Sequence, residues 1–148
     1  MLRCWFTGQD DFHSVAVYDW KNGYLLCRAT SFEAKSLCLE FNPNGTGLVQ
    51  GGNEIIRFWD LDGRQMHYQD ALLSSRAKLQ PYLSAGWVGG HAVMGTTDGC
   101  LYRFLGNKLD SIVQVRSDHG KKSVRPSVCY ASPQTYIHTY THRRTVAP

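Results

Sequence analysis

The sequence has no long run of apolar residues, and none of its stretches approaches the roughly 20 residues that a membrane span needs. The first residues, MLRCWFTGQDD, contain neither a basic leader nor a small-residue cleavage site, the two marks of a secretory signal peptide. We therefore expect no membrane segment, no export and a cytoplasmic location.

Cysteine pairs with metal-binding or redox spacing are also missing. The chain has five cysteines and no Cys-x-x-Cys. They lie at Cys4, Cys27, Cys38, Cys100 and Cys129. An odd number of widely spaced cysteines favours reduced thiols over a disulfide framework, with Cys27 and Cys38 predicted to be small core residues.

Catalytic motifs are absent as well. The sequence contains no Gly-x-Ser-x-Gly elbow, no phosphate loop and no dinucleotide-binding fingerprint. We interpret the glycine-rich residues 86–90 as a strand and its turn, and Asp10-Asp11 as solvated carboxylates of a surface loop. The prediction is a protein that is not an enzyme and uses no cofactor.

One histidine pair has the spacing of metal ligands on a helix. His138 and His142 lie four residues apart, but the threonines and tyrosines around them favour extended chain. In a strand, residues four apart point the same way yet lie too far apart to share one ion. No metal site is predicted.

Acidic residues are missing from the end of the chain. From His119 to Pro148 there are five of the 16 basic residues and no acid, which leaves 11 basic against 12 acidic residues before it. The net charge of +4 therefore belongs to this end. The candidate partner-binding residues are Lys121, Lys122, Arg125, Arg143 and Arg144. They suit an acidic partner, or they belong to a solvated end of the chain.

The residues that are present form a repeated pattern. The chain is 43% hydrophobic and 12% aromatic over 148 residues, enough for the core of one ordinary domain. Three segments, SVAVYDW (14–20), EIIRFWDLDG (54–63) and CLYRFLG (100–106), align so that Tyr18, Trp59 and Phe104 share one column. The column recurs after 41 and 45 residues, and a glycine precedes each aromatic by eight to ten residues. The pattern indicates one repeating structural unit.

Turn signals divide each unit into short strands. Asn42-Pro43-Asn44-Gly45 follows the alternating run SLCLEF, and Asp62-Gly63 follows the aromatic column of the second unit. A polar and apolar run after each aromatic then completes four strands in a repeat of about 40–45 residues. Spacing that suits a helix occurs only from Ala71 to Leu79.

The segment from Glu54 to Gly63 places apolar side chains on both faces of one strand. A sheet that faces water alternates, so this pattern is typical of a sheet pressed between two others, as in a β-propeller. We expect the aromatic residues near these strands to form the core between sheets rather than to line a peptide groove. These residues are Trp20, Phe58, Trp59, Trp87 and Phe104.

The second unit resembles a WD40 repeat, with LEFNPNG as the end of a first strand and FWD at Phe58 to Asp60 as the signature. The runs VAVYDWKNGYLLC, GGNEIIRFWDLDG and GTTDGCLYRFLGNKL are similar, in this order, to early blades of the echinoderm microtubule-associated-protein-like family. The resemblance implies an all-β fold of WD40-type propeller blades, each a four-stranded antiparallel sheet. Where that family tends to have a His-Asp-Gly-like linker between blades, this chain reads Ser117-Asp118-His119-Gly120, with the histidine displaced. In that family a hydrogen bond from His to Asp often braces a blade, and Asp98 lies in a turn suited to the aspartate of such a bond.

The resemblance covers about three blades. We assign residues 1–35 to a partial blade, 36–78 to a WD40 blade and 79–123 to a WD40-like blade. Residues 124–148 are either a basic aromatic tail or the remnant of a fourth blade, because Ser127-Val128-Cys129 follows Ser36-Leu37-Cys38 by 91 residues. Three blades cannot close a ring, so we expect the outer sheet faces to need more chain or another molecule.

The predicted function is a non-catalytic protein-interaction module. The resemblance implies binding to tubulin or microtubules, in the cytoplasm or on the cytoskeleton. The first alternative is a WD40 scaffold within a larger complex that does not contact tubulin. The second is a nucleic-acid binder that depends on the basic end alone.

Overall fold

The computed structural model describes residues 3–7 and 13–115, and every regular element within them is a β-strand. The first sheet consists of β1 (Arg3–Thr7), β2 (Ser14–Asp19) and β3 (Tyr24–Thr30). The second consists of β4 (Ser36–Phe41), β5 (Gly47–Gly52), β6 (Ile56–Asp62) and β7 (Gln65–Asp70). The third consists of β8 (Tyr82–Val88), β9 (His91–Thr96), β10 (Cys100–Leu105) and β11 (Lys108–Gln114).

Each strand pairs antiparallel with the next strand along the chain. The predicted all-β fold is therefore confirmed for the described residues, and the second and third sheets have the four strands expected. No helix that could span a membrane occurs in residues 3–7 and 13–115.

Tight turns join the strands where the sequence supplies the right residues. The two-residue loop Gly89-Gly90 has positive φ at both positions, 54° and 80°, which is the backbone of a type I′ hairpin. In the turn after β4, Asn42 Oδ1 accepts hydrogen bonds from the backbone N–H groups of Thr46 (2.9 Å) and Gly47 (3.2 Å). The turn predicted at Asn42 and the strand and turn predicted at residues 86–90 are confirmed.

The second sheet is packed on both faces, and its strand β5 is buried at all six positions. Between the first and second sheets lies a core of Val15, Val17, Cys27, Leu39, Leu48 and Trp59. Between the second and third sheets lies a core of Val49, Ile56, Tyr82, Ala92, Met94, Cys100, Tyr102 and Phe104. The rings of Phe58 and Phe104 meet across this second interface at 5.6 Å. The two-sided burial inferred from residues 54–63 is therefore present.

The strand registers repeat from sheet to sheet. Trp59 pairs with Leu48, and Phe104 pairs with Ala92, at equivalent positions of β6 and β10. A β-bulge interrupts the pairing just before Tyr18 in the first sheet and just before Phe104 in the third. A second bulge recurs near the start of β4, between Ser36 and Cys38, and near the start of β8, between Tyr82 and Ser84. The aromatic column aligned in the sequence is thus one column of strand positions.

Two expectations about individual segments are wrong. Trp20 is not part of the core: it lies in the turn after β2, and 54% of its surface is exposed. The residues from Ala71 to Leu79 form no helix, although their spacing suits one. Leu72 instead forms a parallel bridge to Lys108, with backbone hydrogen bonds to Asn107 O (2.8 Å) and from Leu109 N (3.0 Å). The linker is held as extended chain because the edge of the third sheet offers it these partners.

The third sheet lacks the two-sided burial of the second. In β10 the buried side chains of Cys100, Tyr102 and Phe104 alternate with the exposed side chains of Leu101, Arg103 and Leu105. The alternation arises because no described sheet covers the second face of the third sheet. We call this surface the open face, and its residues are Ser84, Gly86, Val88, His91, Val93, Gly95, Leu101, Arg103, Leu105, Lys108, Ser111 and Val113.

Candidate interaction cleft

Buried polar side chains fix the second sheet against the linker before it. Trp59 Nε1 donates a hydrogen bond to Gln50 Oε1 (2.9 Å), which also accepts one from Ser31 Oγ (2.8 Å). Gln50 Nε2 donates to Ser36 Oγ (3.2 Å). Gln50 and Trp59 are almost fully buried, so each bond satisfies an atom that has no access to water. This network holds the linker between sheets one and two.

A corresponding set of bonds anchors the linker before the third sheet. Gln80 Oε1 accepts from Thr97 Oγ1 (3.1 Å) and from Asp98 N (3.3 Å), and Gln80 Nε2 donates to Tyr102 Oη (3.4 Å). Thr96 Oγ1 donates to Asp98 Oδ1 (2.6 Å), and this bond is the main cause of the lowered pKa of Asp98. Asp98 therefore lies in a turn, as predicted, and the side-chain amide of Gln80 connects this turn to the linker.

A buried arginine closes the outer part of the first interface. Arg57 is paired with Asp70, with Nε–Oδ1 at 2.7 Å, and its guanidinium lies 3.7 Å from the ring centroid of Tyr68. A planar cation that is both paired and stacked on an aromatic ring can be accommodated in a core. Arg57 therefore has a structural role and is not available to an anionic ligand.

A cleft of about 230 Å³ opens between the second and third sheets, at the edge where their turns lie. The residues that carry its chemistry are Asn42, Phe58, Asp60, Gln69, Trp87 and Asn107. Small-molecule sites usually have volumes of about 300–1,000 Å³. The smaller size and mixed lining suit a side chain or short segment of a partner protein.

Trp87 lines this cleft, and the fold leaves its indole N–H without a hydrogen-bond partner among the described residues. The Nε1 atom of this indole is buried. A buried polar group without a partner costs roughly 1–3 kcal/mol, so this donor is kept at a cost to the stability of the fold. Tyr82 Oη is the other buried side-chain atom without a partner in this part of the chain, but Tyr82 belongs to the core between the sheets.

The remaining polar groups of the cleft differ in how far the fold already uses them. Asn42 is engaged by its own turn, and Asn107 Nδ2 donates to Asp70 O (3.3 Å). Asp60 and Gln69 are exposed. Asp60 is the single charged residue among those lining the cleft, so the site is suited to a neutral or basic segment and not to a polyanion.

The sequence-predicted site lies elsewhere. Lys121, Lys122, Arg125, Arg143 and Arg144 fall outside the described residues, as do His138 and His142. Within residues 13–115 no group of three His, Cys, Asp or Glu side chains is placed to hold a metal ion. Cys27 belongs to the core between the first and second sheets, and Cys38 packs against the core between the second and third, as predicted for these two cysteines.

The cleft was missed because its residues come from separate turns. Trp87 was interpreted as core, and it does pack partly against the second core together with Phe58. Asn42, Asp60 and Asn107 each look like ordinary turn-edge residues in the sequence. These residues meet only because two sheets stack, and the spacing of residues within one repeat does not predict the cleft.

The described residues define an all-β protein of stacked antiparallel sheets with a small cleft at the edge of the second and third sheets. A search against protein-family models finds none that matches this chain.

Proposed function

We propose that this chain is a set of WD40-type β-propeller blades that acts as a non-catalytic protein-interaction module, with tubulin or microtubules as its partner. The observation that carries the blade assignment is the second sheet, which is packed on both faces by sheets with the same strand order. The repeated register of Trp59 and Phe104 supports it further. Radial sheets of a propeller require this arrangement, whereas a two-sheet sandwich buries one face of each sheet.

The tubulin partner is proposed from the sequence resemblance to the echinoderm microtubule-associated-protein-like family. The charge distribution supports it, since the five basic residues from Lys121 to Arg144 complement an acidic protein surface. A cytoplasmic or cytoskeletal location follows from this partner and is part of the same proposal. Microtubule binding of this kind depends on ionic strength because exposed charges are screened within about 10 Å at 0.1 M salt.

Co-sedimentation of the full chain with microtubules tests the partner. We expect binding at low salt that weakens as salt is added. The test variant carries Lys121→Glu, Lys122→Glu and Arg125→Glu, and it should lose most of the binding. A matched control with the same charge change uses exposed residues of the described part, Lys35→Glu, Arg64→Glu and Arg76→Glu. No sedimentation of the parent chain, or equal losses in both variants, contradicts the proposal.

The alternative function is a scaffold that binds a partner segment in the cleft and does not contact tubulin. The lining of the cleft favours it, because Trp87 is one of its residues and the indole N–H of Trp87 has no partner among the described residues. Peptides selected from a displayed random library against the parent chain should bind more weakly to Trp87→Phe, which keeps the ring and removes the donor. Trp20→Phe is the matched control, since Trp20 is exposed and lies outside the cleft. Equal binding to all three proteins refutes a role for this donor.

A further inference from the structure

The cleft between the second and third sheets contains one negative charge and no positive charge. Asp60, near the end of β6, is the only charged residue in the lining, and the other polar side chains there are carboxamides, such as those of Gln69 and Asn107. Asp60 is exposed, and among the described residues its carboxylate has no hydrogen bond or ion pair. Asp70 and Asp110, by contrast, are each paired with an arginine. The cleft therefore offers an unpaired carboxylate to a cationic group.

Aromatic side chains lie in the same cleft as this carboxylate. Phe58 and Asp60 are two residues apart in β6, so they lie on the same face of the second sheet, and Phe58 packs against the core shared with the third sheet. From the third sheet, Trp87 of β8 lines the cleft and is only partly buried. Aromatic rings attract cations through their π-systems. The cleft thus combines two groups of the kind that bind a cation, the ring and the carboxylate.

The opposite face of the same hairpin shows what this combination holds. There the guanidinium of Arg57 lies 3.7 Å from the ring centroid of Tyr68 and is paired with Asp70, with Nε–Oδ1 at 2.7 Å. Arg57 and Asp70 face each other across β6 and β7, the two strands that also carry the second-sheet side of the cleft. The cleft has rings and a carboxylate, but none of its lining residues is an arginine. It therefore matches the Arg57 arrangement with the arginine left out.

The size and the acceptors of the cleft suit a guanidinium. At roughly 30 Å³ for each water molecule, a volume of 230 Å³ holds about eight waters, which is room for one long side chain and not for a folded element. A guanidinium is planar, stacks on aromatic rings and is more weakly hydrated than an ammonium, and its N–H groups match a carboxylate in pairs. Asn107 uses its Nδ2 on Asp70 O (3.3 Å), which leaves its Oδ1 to accept a further N–H. An anionic ligand would meet no cation in this lining.

We propose that the cleft binds the arginine side chain of an extended segment of a partner protein. Asp60 pairs with the guanidinium, Phe58 and Trp87 pack against it, and Asn107 Oδ1 accepts a further hydrogen bond. The proposal rests on the alternative function in which a partner segment occupies the cleft, and it names the chemistry of that segment. It is separate from microtubule binding, which is proposed for basic residues outside the cleft, so a failure to bind tubulin leaves it standing.

NMR titrations of the isotope-labelled full chain with short peptides test this proposal. The probe is acetyl-Gly-Ser-Arg-Ser-Gly-amide, and the matched peptides carry citrulline, lysine or glutamate in place of the arginine. The arginine peptide should give saturable shifts of the Trp87 indole N–H and of the Asn107 side-chain amide. Citrulline keeps the shape of arginine without its charge, so its peptide should bind about tenfold more weakly or worse. The lysine peptide should bind more weakly than the arginine peptide, and the glutamate peptide should not bind.

Asp60→Asn tests the carboxylate, because it keeps the shape of the side chain and removes its charge. It should weaken binding of the arginine peptide about tenfold or more. Asp62→Asn is the matched control, since Asp62 is also exposed, belongs to the same strand and does not line the cleft. It should leave the affinity unchanged. Both substitutions are at exposed positions, and an unchanged amide spectrum of β5 verifies that each variant is folded.

Three results overturn the proposal. They are no saturable shift in the parent chain, citrulline or lysine peptides that bind as tightly as the arginine peptide, and equal losses in Asp60→Asn and Asp62→Asn. The library selection separates this failure from failure of the alternative function. Selected peptides that bind the parent chain, lack arginine and bind Trp87→Phe more weakly would keep the cleft as a binding site and refute its choice of arginine.

Discussion

Adding one methyl group at Gly51 should destabilise the protein, because Gly51 lies at the contact of the second and third sheets. The new Cβ would lie 2.7 Å from Met94 Cε and 3.0 Å from Tyr82 Cβ, both in the third sheet, and 2.7 Å from Cys38 Sγ in its own sheet. Met94 and Tyr82 are fully buried, so neither can move into solvent. Gly51→Ala therefore has to push the two sheets apart or distort side chains within them.

The size of the effect follows from two opposing contributions. Overpacking a filled core costs typically about 1–3 kcal/mol. Replacing a strand glycine by alanine recovers roughly 0.5–1 kcal/mol by reducing the freedom of the unfolded chain. We therefore expect a net loss of about 0–2.5 kcal/mol. For a chain of about 150 residues, each kcal/mol lowers the melting temperature by roughly 2–4 °C.

Urea unfolding followed by circular dichroism measures this loss, with Gly86→Ala as the matched control. Gly86 also lies in a strand, and a Cβ there meets nothing within 4 Å. Gly86→Ala should be neutral or slightly stabilising. Shortening the facing side chain with Met94→Val should make Gly51→Ala less costly, with a coupling of about 0.5–3 kcal/mol. If Gly51→Ala is as stable as Gly86→Ala, or does not couple to position 94, the described sheet contact is wrong.

Three further predictions concern the buried polar and titrating groups. Gln50→Leu leaves Trp59 Nε1 buried without its acceptor and should lower the free energy of unfolding in urea by roughly 1–3 kcal/mol. The double variant Gln50→Leu with Trp59→Phe should lose less than the sum of the losses of the two single variants. Strict additivity would contradict the hydrogen bond. Burial raises the pKa of the Cys38 thiol to about 12 from 9.0, so the folded state holds this proton more tightly than the unfolded state does. The free energy of unfolding should therefore fall as pH rises above 9. Cys38→Ser should show a shallower decline in urea midpoint with pH, and a decline identical to that of the parent would refute the assignment. The hydrogen bond from Thr96 lowers the pKa of Asp98 below 3.8. The ionised Asp98 therefore stabilises the fold above pH 3.8, and this contribution is lost as pH falls through the lowered pKa. The loss of stability with acid should be less steep in Asp98→Asn than in the parent, and a steeper loss would contradict this sign.

The sequence predicts the strands and the stacking well because both are encoded locally. Apolar residues on the two faces of residues 54–63 indicate two covering layers, and the Asp62-Gly63 and Asn42 to Gly45 turns limit where strands can end. The common column of Tyr18, Trp59 and Phe104 fixes the register between units. These features lie within single strands and turns, so the residue pattern alone is enough to detect them.

The features that were not predicted depend on contacts between distant segments. Trp20 was assigned to the core as a large aromatic near a strand, but it stands one residue beyond β2, in the turn, where no second sheet covers it. Helical spacing at Ala71–Leu79 is overridden by the hydrogen bonds that Leu72 makes with the edge of the third sheet. The cleft beside Trp87 and the Gln50 network likewise combine residues from separate repeats or linkers.

Nuclear Overhauser contacts of the second sheet test the central claim most directly. In one sample of the full chain, cross-peaks should join the rings of Phe58 and Phe104 and also join the methyl groups of Val15 or Val17 to those of Leu39 or Leu48. Finding both sets shows that one sheet is covered on its two faces at once. Cross-peaks confined to residues within each sheet, or to one of the two interfaces, would contradict the stacked arrangement on which the proposed function rests.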